Sequence, residues 1–179
     1  NPLRQSQSGR RAAQPSTIVV FGATGDLTGR KLIPALYNLF RDGHLPSRFR
    51  IIASARREKT DEDIRNDLYE AISKHSRRQP NDREEVDPFL SRIVYHRGQL
   101  DEKESFERLR KQIEELEEQD ELPGNRLFYT AIAPEFFDTV VNLMKDAGLS
   151  QPKKEEETWS RIIVEKPFGE DLESAHELN

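Results

Sequence analysis

Gly22 and Gly25 frame the turn in "FGATGDL", between a β-branched run that ends at Phe21 and the apolar-periodic segment Leu32–Phe40. A strand, a glycine turn and a helix in that order aim unpaired backbone N–H groups at the helix mouth, where they favour an anion, most often phosphate. Gly22 stands where the chain must bend after the strand, and Gly25 where backbone must approach a pyrophosphate. Ala23, Thr24, Asp26 and Leu27 complete the candidate turn. Asp26 opens the helix, where a carboxylate caps free N–H groups and complements the dipole, a role we weigh ahead of ligand contact.

Three phosphate-binding patterns can be tested against this spacing. A P-loop requires GxxxxGK[ST], but the sixth position counted from Gly22 is Leu27 and from Gly25 is Arg30. A short-chain dehydrogenase of the GATGxxG type would carry glycine where Thr28 stands, and no tyrosine here is followed four residues later by lysine. The GxGxxG form fails because Ala23 and Thr24 separate the two glycines. The pattern that remains is GxxGDL.

Arg56 and Arg57 close a second apolar run, "FRIIASA". Folds that select NAD place an acid at the end of the second strand to accept from the ribose 2′-hydroxyl, and a 2′-phosphate is repelled there. A guanidinium clamps phosphate instead, so the arginine pair argues for NADP. Its distance from Gly25 exceeds the usual spacing, which a long first helix and loop account for. Ala131, Ile132, Ala133 and Pro134 end another strand candidate at the carboxyl edge, where open sheets bind ligands. Gly98 reads equally as a close-approach point or a turn. Lys166 directly follows the last strand candidate, and Pro167 biases its backbone toward an extended form that projects from the sheet edge. A fixed cation in the ligand crevice suits a sugar phosphate. The histidines His44, His75, His96 and His176 read as helix-end, loop or surface residues rather than as a catalytic base.

The elements that must position these residues alternate regularly. Strand candidates are Ile18–Phe21, Phe49–Ala55, Ile93–His96, Leu127–Ala133 and Arg161–Glu165, mostly unbroken apolar runs of the kind buried on both faces. Between them lie four apolar stripes at helical spacing. These are Leu32, Leu36, Leu39 and Phe40; Ile64, Leu68 and Ile72; Phe106, Leu109, Ile113 and Leu116; and Phe137, Val140, Val141 and Met144. Strand and helix in alternation predict parallel strands with right-handed crossovers, an α/β, doubly wound, mostly parallel sheet. Residues 1–16 are polar with three arginines and read as a disordered arm, leaving residues 17–179 as one domain. The acidic stretch 114–124 reads as the solvated face and end of the third helix, and residues 150–159 as a loop.

Composition narrows the class. The 179 residues are 34% hydrophobic and 34% charged, and no apolar run approaches the span of a bilayer, so a soluble, cytoplasmic protein without a membrane partner is expected. A net charge of −5 without a clustered basic face argues against nucleic acid as a partner. The absence of cysteine removes disulfides, thiol nucleophiles and thiolate metal sites together, and no metal site is expected.

The segments "FGATGDLTGRKLIPALYNLF", "ASARR", "NRLFYTAIAPEFF" and "RIIVEKPFGEDLESA" together resemble the amino-terminal coenzyme domain of the glucose-6-phosphate dehydrogenase family, in that family's order from Thr17 onward. GxxGDL joined to EKPFGxDLxSA is a specific signature. The resemblance implies a Rossmann-like NADP-binding domain of an oxidoreductase acting on glucose 6-phosphate in the pentose phosphate pathway, homo-oligomeric at full length. It implies Arg56 as the 2′-phosphate ligand with Thr24 beside it, Arg57 as a second partner, and residues 131–134 along the cofactor. It implies hexose contact by Lys166 and a place for Pro167 next to the nicotinamide. One departure is Thr28, where the family commonly has alanine. The family's catalytic histidine sits in an RIDHYLGKE motif beyond the EKPFG helix, so no catalytic base and no turnover are expected within residues 1–179. The reading opposed to this one is a non-enzymatic NADP-sensing or interaction domain.

Overall fold

The computed structural model describes residues 13–151 and 157–165. Five parallel strands form one sheet: β1 Ser16–Phe21, β2 Phe49–Ala55, β3 Ile93–Arg97, β4 Arg126–Thr130 and β5 Ser160–Val164. Their spatial order is β3-β2-β1-β4-β5, so β1 is central and the chain reverses its direction of winding between β1 and β4. Register is continuous across the centre, with Val19 opposite Ile52 on one side and Phe128 on the other. The expected doubly wound α/β sheet is what the chain forms.

Alternation along β1 builds two cores. Ile18 and Val20 face one layer together with Ile51, Ala53 and Ile93, and Val19 and Phe21 face the other with Ile52 and Phe128. The first layer is covered by helices α1 Ile33–Arg41, α2 Asp61–His75 and α3 Arg83–Leu90. The second is covered by α4 Lys103–Gln119 and α5 Phe137–Asp146. Both faces of the central strand are therefore sealed, which explains the unbroken apolar runs.

The stripes of α2 and α4 are buried as expected, through Ile64, Leu68 and Ile72 and through Phe106, Leu109, Ile113 and Leu116. The first stripe is displaced. A π-helical turn, Thr28–Leu32, precedes α1 and takes one more residue than an α turn, so burial falls on Ile33, Pro34 and Tyr37 while Leu39 stays 41% exposed. Helix α3 contains Pro88, whose missing N–H argues against a helix in sequence, yet Val86, Phe89 and Leu90 bury its inner face. β4 stops at Thr130 rather than Ala133, because Ala133 precedes proline in an extended conformation and Pro134 opens a short 3₁₀ turn, Pro134–Phe136. β1 starts at Ser16, which is buried, and Gln14 accepts from the Trp159 indole at 2.7 Å. Among the described residues no helix is long and apolar enough to cross a membrane.

Candidate functional site

The site lies at the carboxyl edge of the sheet, where β1 and β4 separate. Gly22 has φ +80°, and a Cβ placed on it would sit 2.0 Å from the carbonyl oxygen of Ala131. Only glycine allows β1 to turn there against the end of β4. The turn is fastened from the β2 side as well, since the N–H groups of Gly22 and Ala23 both donate to the Ser54 carbonyl at 3.1 and 3.0 Å. Those two donors are therefore engaged by protein, and the Ala23 side chain is buried in the first core.

The donors with no backbone partner outside the helix ladder among the described residues are one step further on. Gly25 N–H returns to the Gly22 carbonyl at 3.0 Å, and the first helical bond runs from Gly29 N–H to the Gly25 carbonyl at 3.2 Å. Asp26, Leu27 and Thr28, in the turn before that bond, have no preceding helical carbonyl to reach, which is the arrangement that holds an anion. Thr28 is fully buried, and its hydroxyl donates to the Gly22 carbonyl at 3.0 Å. The carboxylate of Asp26 does not cap these groups. It pairs with Arg30 at 2.8 Å, one helical turn away on an exposed surface.

A cleft of about 410 Å³ opens in front of the turn, lined by Gly22, Thr24 and Gly25, by Ser54, Ala55 and Arg56 at the end of β2, and by Ala131, Ile132 and Ala133 after β4. The first and last of these segments lie more than a hundred residues apart in the chain, and the sheet order brings all three to one edge. Arg57 turns the other way. It lines a neighbouring hollow of about 280 Å³ with Lys59, and Thr24 and Gly25 form the partition between the two spaces. Lys59 is itself held by Asp67 at 2.7 Å, and that hydrogen bond raises its pKa above the ordinary 10.5. Pro134 lies just past the cleft wall at the start of its 3₁₀ turn, while Lys166 and Pro167 lie outside the described residues.

Gly98, which the sequence offered as a close-approach point or a turn, lines the cleft after β3. Gln99, Leu100 and Asp101 extend that wall and Phe136 closes the β4 side, and these four carry no sequence signal of their own. Their position at strand ends is what would have found them. Gly98 is also a packing position, since a Cβ there would meet the His96 ring at 2.8 Å. His96 is not a surface residue. It is 6% exposed, its Nδ1 lies 2.8 Å from Gln112 Oε1, and burial lowers its pKa below the usual 6.5.

A parallel sheet with a glycine turn and a helix mouth at its switch point is the arrangement of a dinucleotide-binding α/β domain. The chain belongs to the glucose-6-phosphate dehydrogenase family: residues 19–179 match the family model described as "Glucose-6-phosphate dehydrogenase, NAD binding domain". It is a nicotinamide-dinucleotide-binding domain. It is 39% identical over 169 residues to glucose-6-phosphate 1-dehydrogenase of Chlamydia pneumoniae, covering 94% of this chain and 33% of that protein. It is 37% identical over 164 residues to the Bacillus subtilis enzyme, covering 92% of this chain and 32% of that one. The solved structure of a glucose-6-phosphate dehydrogenase in complex with its substrate glucose-6-phosphate superposes with a TM-score of 0.77 at 37% identity, over 93% of this chain and 33% of that one. The Mycobacterium avium enzyme gives 0.72 at 28% identity, over 91% and 32%. The chain spans about a third of the length of the curated relatives it matches.

Proposed function

We propose that this domain binds NADP in preference to NAD, and that it serves a glucose-6-phosphate dehydrogenase, which oxidises glucose 6-phosphate to the lactone in the cytoplasm. The observation that carries the cofactor choice is that Arg56 and the glycine turn line one cleft. An acid at the end of β2 would repel a 2′-phosphate, and a guanidinium attracts it.

The residues present fit such a ligand. Absence of a Cβ at Gly22 and Gly25 lets phosphate oxygens approach the backbone, and the first-turn N–H groups of Asp26 and Leu27 receive the pyrophosphate. Arg56 takes the 2′-phosphate, with the Thr24 hydroxyl beside it and Arg57 as a second cation approaching from the adjoining hollow. Ala133 and Pro134 bound the far end of the cofactor. In "VEKPFG", Lys166 supplies the cation that orients the hexose phosphate, and Pro167 adjoins the nicotinamide. A bound nicotinamide would supply the hydride acceptor for oxidation of the sugar carbon. The chain's own contribution is to hold the two reactants together, which removes entropy from the barrier. The resemblance of "RIIVEKPFGEDLESA" to the family motif and the substrate-bound neighbour support the sugar reading.

Arg56→Ala tests the cofactor assignment. One charge-assisted hydrogen bond contributes roughly 1.5–3 kcal/mol, so NADP affinity in the full-length protein falls about ten- to a hundredfold. NAD affinity stays within about twofold, because NAD offers no 2′-phosphate. Calorimetric titration with both nucleotides reads this directly, and equal losses for the two remove Arg56 from the role.

A further inference from the structure

Tyr95 lies within β3, with its ring buried in the core beneath α1, α2 and α3. Its hydroxyl emerges at the end of β2 and meets two main-chain carbonyls, Arg57 at 2.5 Å and Ala55 at 3.1 Å. One carbonyl belongs to the peptide that precedes Arg56, and the other to the peptide that follows Arg57. A single phenol proton, shared between them, therefore grips both ends of the arginine pair. Burial pushes the phenol above its ordinary pKa of 10.0 against the pull of Lys59, Arg97 and Arg57, so the proton is in place across the neutral range.

Three further ties hold the same span, the first from Gly98 N–H to the Ala55 carbonyl at 3.1 Å, which leaves the Arg57 carbonyl as the one that Tyr95 holds without help from the β3 end. The backbone N–H of Tyr95 donates to Asp61 Oδ1 at 2.6 Å, at the first residue of α2. Arg97, two residues along β3, pairs with Glu58 at 3.6 Å. The chain from Ala55 to Asp61 is thus fastened to β3 and its end by the Tyr95 hydroxyl and these three ties. The arginine side chains themselves are not fastened: both are exposed, and among the described residues neither guanidinium has a hydrogen bond or ion pair. With free side chains, the direction in which each arginine leaves the sheet edge is set by its backbone. That backbone is what Tyr95 holds.

We propose that Tyr95 is a positioning residue for the choice between NADP and NAD, its hydroxyl fixing the main chain of residues 55–57 and so aiming Arg56 into the cleft. This rests on the assignment of Arg56 to the 2′-phosphate. The effect of losing the hydroxyl is partial, because a long arginine side chain reaches the phosphate from a shifted backbone at the cost of rotamer freedom.

Tyr95→Phe keeps the ring in the core and removes only the hydroxyl. In the full-length protein, Tyr95→Phe, Arg56→Ala and the double variant are titrated calorimetrically with NADP and with NAD. The expected result is an NADP affinity reduced about three- to tenfold by Tyr95→Phe with NAD affinity unchanged, as for one neutral hydrogen bond. In the Arg56→Ala background the same change then has no further effect on the ratio. Equal weakening of both nucleotides by Tyr95→Phe, or an unchanged ratio, overturns the proposal while the role of Arg56 stands. An unchanged ratio in Arg56→Ala overturns the Arg56 assignment itself, and this proposal with it.

Discussion

The hydroxyl of Thr28 donates to the carbonyl oxygen of Gly22 across 3.0 Å, so the helix reaches back to close the turn that opens it. The same oxygen accepts from Gly25 N–H at 3.0 Å. Two donors on one carbonyl hold the turn in shape at a position where a smaller residue would supply only one. Thr28→Val keeps the volume and removes the hydroxyl bond, and should destabilise the domain by about 1 kcal/mol. Urea unfolding measures it; an unchanged midpoint would mean that Gly25 alone suffices.

Gly22→Ala should be far more damaging. The left-handed backbone costs an alanine roughly 1–2 kcal/mol, and the new Cβ lies 2.0 Å from the Ala131 oxygen, so strand ends must also part. We expect loss of soluble folded protein or a collapse of the melting temperature. A melting temperature equal to wild type would show that the β1–β4 edge opens freely.

Glu117 and Arg126 form a bidentate pair at 2.8 and 2.9 Å, exposed by only 4% and 7%. Removing one charge strands the other, so Glu117→Ala should cost about 3–5 kcal/mol. Replacing both by Leu and Met should restore most of that loss in denaturant titrations, and a double variant as weak as the single one would refute the pairing account.

His96 makes stability depend on pH. Its ring is buried, and Gln112 is oriented toward it because Gln112 Nε2 donates to the Tyr95 carbonyl at 3.0 Å. Burial depresses the folded pKa below 6.5, so the unfolded chain takes up the proton first as pH falls. The contribution is fully present above about pH 6.5 and is lost as pH falls through the folded value. Unfolding midpoints from pH 8 to 5 should decline, and less steeply in His96→Gln. Parallel curves for the two proteins would place the decline elsewhere.

Much of the architecture was legible because the central β-runs are covered on both faces and the crossover helices carry wide stripes, although the edge strand β5 leaves Ile163 exposed. Ile64, Leu68 and Ile72 bury as their spacing predicts. What was not legible depends on contacts across the sheet. Glu117 belongs to an acidic run that reads as solvated, and only Arg126, brought alongside by β4, draws it inside. Pro88 masks α3 because its cost is local whereas the burial of Phe89 and Leu90 that offsets it is not. At the site, Gly22, Gly25 and Arg56 were readable from residue type. Leu100 and Phe136 were not, since an apolar residue at a strand end looks like any other.

β1 reaches β2 through one short crossover, but it meets β4 only after α4 has been made, with Thr17 finally opposite Arg126. Pairings between such distant stretches of chain form slowly. The Gly22–Ala131 approach spans that distant pairing, and the dinucleotide cleft exists only once it has formed. A nucleotide bound there selects the finished sheet over every partly assembled form and stabilises it by mass action. Survival of newly made chain against proteases should accordingly rise with free nucleotide, which makes the cofactor a late assembly factor for its own domain.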